Sequence, residues 1–337
     1  MISSYDLARN ADIVFSEVIE LNEFQKLKSS NLKIIKKDNE KVFYVTKNLK
    51  IFKNATIFTH TDFLLALFKI IQKLPKNFNL NLISHQSDHL IDKNIYNLKP
   101  NCINKWFAVN VGYSTPDLIP IPLGLANKFS NKNINSIEIK NFKNKFDIEK
   151  NSLLYVNFEI NTNKYERKYL YKKFENKSWV KVDQPNLTKS EYIRNIRSSE
   201  FILCPWGNGI DTHRIWESLL LGCIPITKNH KTFSYLEELP VLFVDSFDEV
   251  TEKNLMNFKK NINLNNYNLN RLTKEYWINY IFEKNIDTKN FEIIKNNVYK
   301  IFFISKSKII YKKIIKFLTT PKNYVKKFIK KLLKNES

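Results

Sequence analysis

Apolar positions along the chain gather into short runs that alternate with longer stretches of helical period. "KVFYV" (41–45) and "ATIFTHT" (55–61) predict strands, and "DFLLALFKIIQKL" (62–74) predicts a helix with one apolar face. "LNLISH" (80–85) predicts a further strand that ends in the polar turn "QSDH", followed by "KWFAVNV" (105–111) and the proline-punctuated run 116–127. The segment 127–151 is rich in Lys and Asn, has no strong period, and reads as a linker. Beyond it the alternation restarts. Strands are predicted at 152–158, 179–183, 200–205, 223–228 and 241–245, and helices near 164–175, 189–199, 233–239 and 272–284. Strands alternating with helices predict an α/β fold with mainly parallel sheets. The pattern divides the chain into domains at 1–145 and 146–290, followed by a basic segment at 291–337.

Composition changes this picture little. A hydrophobic share of 43% with 14% aromatics suits a globular protein with a substantial core, and no apolar run reaches the length of a membrane span. The opening residues carry no basic region followed by a long apolar core, so no secretory signal is expected. Cys102, Cys204 and Cys223 are an odd number at spacings that suit neither zinc nor a disulfide framework, and read as reduced thiols in a cytoplasmic protein.

The formal net charge is +22, carried almost wholly by Lys among abundant Asn and Ile. Such a surface follows from a compositional drift, so nucleic acid is not expected as a partner. The C-terminal segment differs. From Lys295 onward there are 13 Lys and one acid, Glu336. Val325, Phe328, Ile329, Leu332 and Leu333 fall on one stripe of a helix whose other face is Lys. A basic amphipathic helical tail of this kind suits an anionic membrane surface, contacted through residues 309–334, which would place the protein peripherally on the inner face of a membrane. The competing reading is a terminal helix packed on the protein with a solvated Lys face.

Only five glycines occur, and three of them, Gly207, Gly209 and Gly222, fall in "FILCPWGNGIDTHRIWESLLLG" (201–222). A strand, a glycine turn and a helix in that order present backbone N–H groups and the positive end of a helix dipole at the carboxyl edge of a sheet. Arg214 and Glu217 lie three residues apart on one helical face, with Asp211 and His213 near its start. A guanidinium there suits a diphosphate, and a carboxylate one turn on suits the hydroxyls of a ribose. A surface Arg–Glu pair would explain the same spacing, but Arg is scarce in this Lys-rich chain.

The run "EFILCPWGNGIDTHRIWESLLLGCIPIT" resembles the donor-binding segment of exostosin-like glycosyltransferases, where "P-x-G-x-G-x-D-x-x-R-x-x-E-x-L-x-x-G-C-I-P" occurs. Pro205, Gly207, Gly209, Asp211, Arg214, Glu217, Leu219, Gly222, Cys223, Ile224 and Pro225 carry the match. Residues 154–245 are more weakly similar to the same domain, and the first half less so. The resemblance implies a GT-B architecture, two Rossmann-like domains facing across a cleft, and an inverting transfer from a nucleotide-sugar to a glycan or lipid-linked acceptor. It further implies that Glu217 holds the donor ribose, that Arg214 and Arg167 hold the diphosphate, and that Gly207 and Gly209 admit the phosphates. Asp211 and His213 accompany them, Asp211 with the alternative of a helix N-cap.

No Asp-x-Asp pair is present, so no metal is expected, nor any cofactor beyond the nucleotide-sugar substrate. The base for the acceptor hydroxyl should come from the first domain. Asp88 is the first choice and His85 the second, both in "SHQSDH" after a strand, with His60 and Asp62 in a comparable turn. A nucleotide-sugar-binding protein without catalysis and a basic nucleic-acid-binding protein are the alternatives.

Overall fold

The computed structural model describes residues 1–27, 30–130, 133–143, 148–282 and 291–295. The strands are β1 (Ile13–Glu20), β2 (Leu32–Lys37), β3 (Lys41–Thr46), β4 (Asn48–Phe52), β5 (Thr56–His60), β6 (Leu80–His85), β7 (Ile103–Ala108) and β8 (Leu118–Pro120) in the first half. They are followed by β9 (Ser152–Val156), β10 (Val180–Val182), β11 (Ser199–Leu203), β12 (Ile224–Lys228), β13 (Leu242–Val244) and β14 (Phe291–Lys295).

The first sheet has the order β2-β3-β1-β5-β6-β7-β8. From β1 to β8 neighbouring strands are parallel, while β3 runs antiparallel to both β1 and β2. All five residues of β5 are buried, as a strand covered on both faces requires. Its parallel strands lie side by side in chain order, with the antiparallel β3 and then β2 on the far side of β1. The second sheet differs. All its pairings are parallel in the order β10-β9-β11-β12-β13, the doubly wound pattern with a switch point between β9 and β11.

The helix His213–Leu220 follows β11 and buries Ile215, Trp216 and Leu219. It closes on Gly222 at φ +76°, with Cys223 N–H bonded to Ser218 O at 2.9 Å and Gly222 N–H to Leu219 O at 3.3 Å. That pair of bonds is a Schellman cap, and the positive φ explains the glycine. Thr212, not Asp211, occupies the N-cap position, so the capping alternative for Asp211 is set aside.

Two expectations from the sequence need correction. The segment 127–151 is not a plain linker: it carries a helix at Ser136–Lys143, and Ile134 and Ile139 are buried. Residues 291–295 do not begin a helix; β14 pairs antiparallel with β4 of the first half. The basic stretch 309–334 lies outside the described residues.

Residues Met1–Lys295 form one unit. A single apolar cluster takes Phe58, Ile83 and Phe107 from the first sheet and Tyr155, Ile202 and Trp216 from the second half. The two sheets are therefore joined by core packing as well as by polar contacts between the halves.

Candidate functional site

In doubly wound sheets the carboxyl ends of the strands flanking the switch point leave a crevice. Here the segments after β9 and β11 form that crevice, and it opens into a cavity of about 1010 Å³ that reaches across to the first half. His85, Asp88, Arg167, Gly207, Gly209, Asp211, His213, Arg214 and Glu217 all line this cavity. The glycine turn and the two arginines form one side, and the loop after β6 forms the other.

Arg167 and Arg214 meet at the floor of the crevice. Their guanidinium carbons lie 5.4 and 5.8 Å from the ring centroid of Phe158, just beyond β9. Their environments differ. Arg167 is only 4% exposed and donates to three backbone carbonyls: Nε to Trp206 at 3.0 Å, Nη1 to Glu159 at 2.7 Å and Nη2 to Pro205 at 3.0 Å. Burial, and then the neighbouring positive charge of Arg214, bring its pKa down to about 10. The Nε of Arg214 is buried and has no hydrogen-bond partner among the described residues. Arg167 thus braces the turn, and Arg214 is the guanidinium with donors to spare.

Glu217 is 2% exposed. One carboxylate oxygen accepts from the N–H of Ile134 at 3.0 Å, and the other from the hydroxyl of Tyr192 at 3.2 Å. Each oxygen keeps a further lone pair. Tyr192 and Ile134 were not singled out from the sequence, because nothing in a lone tyrosine or in a Lys/Asn-rich stretch marks a partner for Glu217.

The glycine turn is held from the opposite half. Asn110 is buried, at φ +54°, and its Oδ1 accepts from the N–H groups of Ile210 and Asp211, both at 2.9 Å. Gly209 has to be glycine for this approach: an added Cβ would lie 2.9 Å from Asn110 Nδ2 and 3.0 Å from Asp88 Oδ1. At Gly207 an added Cβ would come within 3.3 Å of Arg167 Nη2. Both glycines therefore admit protein groups to the turn. The N–H groups of Thr212, His213 and Arg214 make no hydrogen bond among the described residues, and they are the donors the helix start leaves to a ligand.

Asp211 and His213 fasten the same seam. Asp211 is 3% exposed and accepts from Leu123 N–H at 2.8 Å, Tyr235 hydroxyl at 3.0 Å and Trp216 Nε1 at 3.1 Å. His213 Nδ1 lies 2.7 Å from Gly124 O, to which it donates. Burial raises the Asp211 carboxyl to about 6 from 3.8, against the opposing effect of its donors. The folded protein keeps this proton between about pH 4 and 6, where the unfolded chain has already released it, so this group's contribution to stability falls as pH rises through that window. We expect the stability difference between wild type and Asp211→Asn, measured by urea unfolding, to move against the wild type between about pH 4 and 6. A difference independent of pH would remove the buried-carboxylate account.

On the facing side, His85 and His60 pair across the ends of β6 and β5. His85 is 2% exposed; its Nδ1 accepts the Gln86 N–H at 2.7 Å, which leaves the proton on Nε2, 3.2 Å from Pro122 O. Burial brings its pKa down to about 4. Both ring nitrogens are engaged, so the geometry does not favour His85 as a base. Asp88 is exposed, its Oδ1 approaches Gly209, and its carboxylate makes no hydrogen bond or ion pair among the described residues. Asp62 does not line the cavity; Ser87 donates to it at 2.8 Å and His89 lies 3.3 Å away. Burial alone would raise its pKa, but those partners and His60 bring it down to about 2.

Residues 148–299 match the family model described as the RXYLT1 C-terminal domain, an exostosin-related glycosyltransferase. The match bears out the resemblance read from the glycine turn and its helix. No curated protein sequence matches the chain. Among solved structures, a UDP-GlcNAc 2-epimerase from Methanocaldococcus jannaschii shares 13% identity over 66% of this chain and 76% of its own, with a TM-score of 0.32. AviGT4, a glycosyltransferase involved in avilamycin A biosynthesis, shares 9% over 67% and 79%, at 0.33. The pneumococcal O-GlcNAc transferase GtfA, in complex with UDP and GlcNAc, shares 11% over 80% and 58%, at 0.30. Superpositions this loose assign no role to any residue here.

Proposed function

We propose that the chain is a metal-independent, inverting glycosyltransferase of GT-B type that moves a sugar from a nucleotide-sugar to a glycan or lipid-linked acceptor in surface polysaccharide synthesis. The observation that carries the donor side is the Arg214 guanidinium. It sits in the switch-point crevice beside a second arginine, with its Nε unpartnered and the unpaired N–H groups of a helix start next to it. Two adjacent cations at a helix N-terminus favour a dianionic group. In this reading Arg214 and the helix start hold the diphosphate, and Glu217 accepts from the ribose hydroxyls.

In the transfer the acceptor oxygen attacks the sugar C1 and its proton passes to Asp88. The C1–O bond to the diphosphate breaks, and its electron pair leaves with the nucleoside diphosphate. Arg214 and the helix dipole stabilise the charge that develops on the leaving group, the task a metal performs elsewhere.

The test is a thermal-shift screen of nucleotide-sugars with excess chelator present. A ligand at a hundred times its Kd raises stability by about 2.7 kcal/mol. We expect one nucleotide class to shift the melting point. Arg214→Ala and Glu217→Ala should each weaken its binding ten- to a hundredfold, the loss of about 1.5–3 kcal/mol from one charge-assisted hydrogen bond. Arg214→Lys should rescue binding only in part, because it keeps the charge and loses the planar fork. Unchanged binding in both alanine variants, or no ligand at all, would overturn the donor site.

A further inference from the structure

The glycine turn and the loop bearing Asp88 come from opposite halves, and one residue holds both. Asn110 Oδ1 accepts two consecutive N–H groups of the turn, at Ile210 and Asp211. Its Nδ2 donates to Ser87 O at 3.3 Å, and its own backbone carbonyl accepts from Ile91 N–H at 2.9 Å. The segment 87–91, which carries Asp88, is thus gripped at both ends by the residue that grips the turn. The left-handed backbone at φ +54° aims the amide at both partners, and Asn adopts that conformation more readily than most residues. A buried amide with its oxygen and nitrogen on different segments fixes their separation as well as their positions.

We propose that Asn110 is a positioning residue for transfer: through its two amide atoms it sets the distance between the donor turn and Asp88. This rests on the functional reading above. The Oδ1 contacts shape the donor site, and the Nδ2 contact places the carboxylate loop.

The two halves of the amide can be separated by substitution. Asn110→Asp keeps an acceptor for the turn and replaces the donor to Ser87 O with a second acceptor. Asn110→Gly keeps the left-handed backbone and removes both contacts. The assay measures nucleoside diphosphate release from whichever nucleotide-sugar shifts the wild-type melting point, with water or a sugar as acceptor. For Asn110→Asp we expect kcat to fall about tenfold or more with the donor KM within about twofold, the signature of a contact felt mainly in the transition state. For Asn110→Gly we expect donor KM to rise about tenfold as well, because the turn loses its clamp. Equal kcat in wild type and Asn110→Asp, at matched folded fraction by circular dichroism, would overturn the proposal. So would a parallel rise of KM in both variants, since a merely structural role does not split the two constants. A wild-type protein that neither binds nor cleaves any nucleotide-sugar would instead overturn the functional reading, and the two failures are distinguished by that control.

Discussion

Asp88→Asn should lower turnover by about 10²- to 10⁴-fold while leaving donor affinity unchanged, the span general base catalysis contributes. The residue is exposed at the cavity, free of partners among the described residues, and placed against Gly209. Asparagine keeps the shape but removes the carboxylate's basicity, so it can accept a hydrogen bond from the acceptor hydroxyl without taking its proton. His85→Gln serves as the control. With Nδ1 accepting from Gln86 and Nε2 set against Pro122 O, His85 has nothing left with which to take a proton. If Asp88→Asn retained turnover and His85→Gln abolished it in a folded protein, the assignment would be reversed. Single-turnover rates with the donor at saturation make the comparison, with binding of the same donor measured by calorimetry.

Arg167→Ala should act chiefly on the fold. The side chain ties Glu159, Pro205 and Trp206 together through their carbonyls, and its loss leaves three acceptors that each cost about 1–3 kcal/mol if no water replaces the guanidinium. A loss of several kcal/mol is a large part of a typical domain's stability. The urea midpoint should therefore fall well below that of Arg214→Ala, which leaves no carbonyl stranded. Arg167→Lys should recover little, since one ammonium cannot face three carbonyls served by a planar fork. A wild-type midpoint in Arg167→Ala, with donor binding lost, would return Arg167 to the role of a diphosphate ligand that the family resemblance implies.

Much of the second half could be read from the sequence because its signals are local. Gly222 announces a left-handed cap, the apolar spacing of Ile215 and Leu219 announces a buried helical face, and the glycine turn follows a strand as expected. What could not be read depends on contacts between distant segments. In a chain full of asparagine nothing distinguishes Asn110, whose partners in the glycine turn lie 100 and 101 residues away. His85 Nε2 is engaged by the carbonyl of Pro122, and one of the two partners of Glu217, Ile134, lies in a segment whose composition suggested a linker. Gly209 shows the same limit. Its place in the motif suggested room for phosphate, whereas a side chain at this position would run into Asn110 and Asp88. Strand β1 was also missed, because its alternation is imperfect and its partners β3 and β5 are known only once the sheet is formed.

The pairing of β14 with β4 bears on how this protein can be dissected. The region matching the family model runs from 148 to 299, and those limits invite its expression as a separate piece. Yet residues 291–295 form their ladder with Asn48–Phe52, near the opposite end of the chain. Expressed alone, either fragment would present a strand whose backbone N–H and C=O groups lack the neighbour they have in the whole protein, an invitation to self-association. Two fragments divided near residue 145 and made together should instead find each other, with β14 closing on β4 as a natural splint.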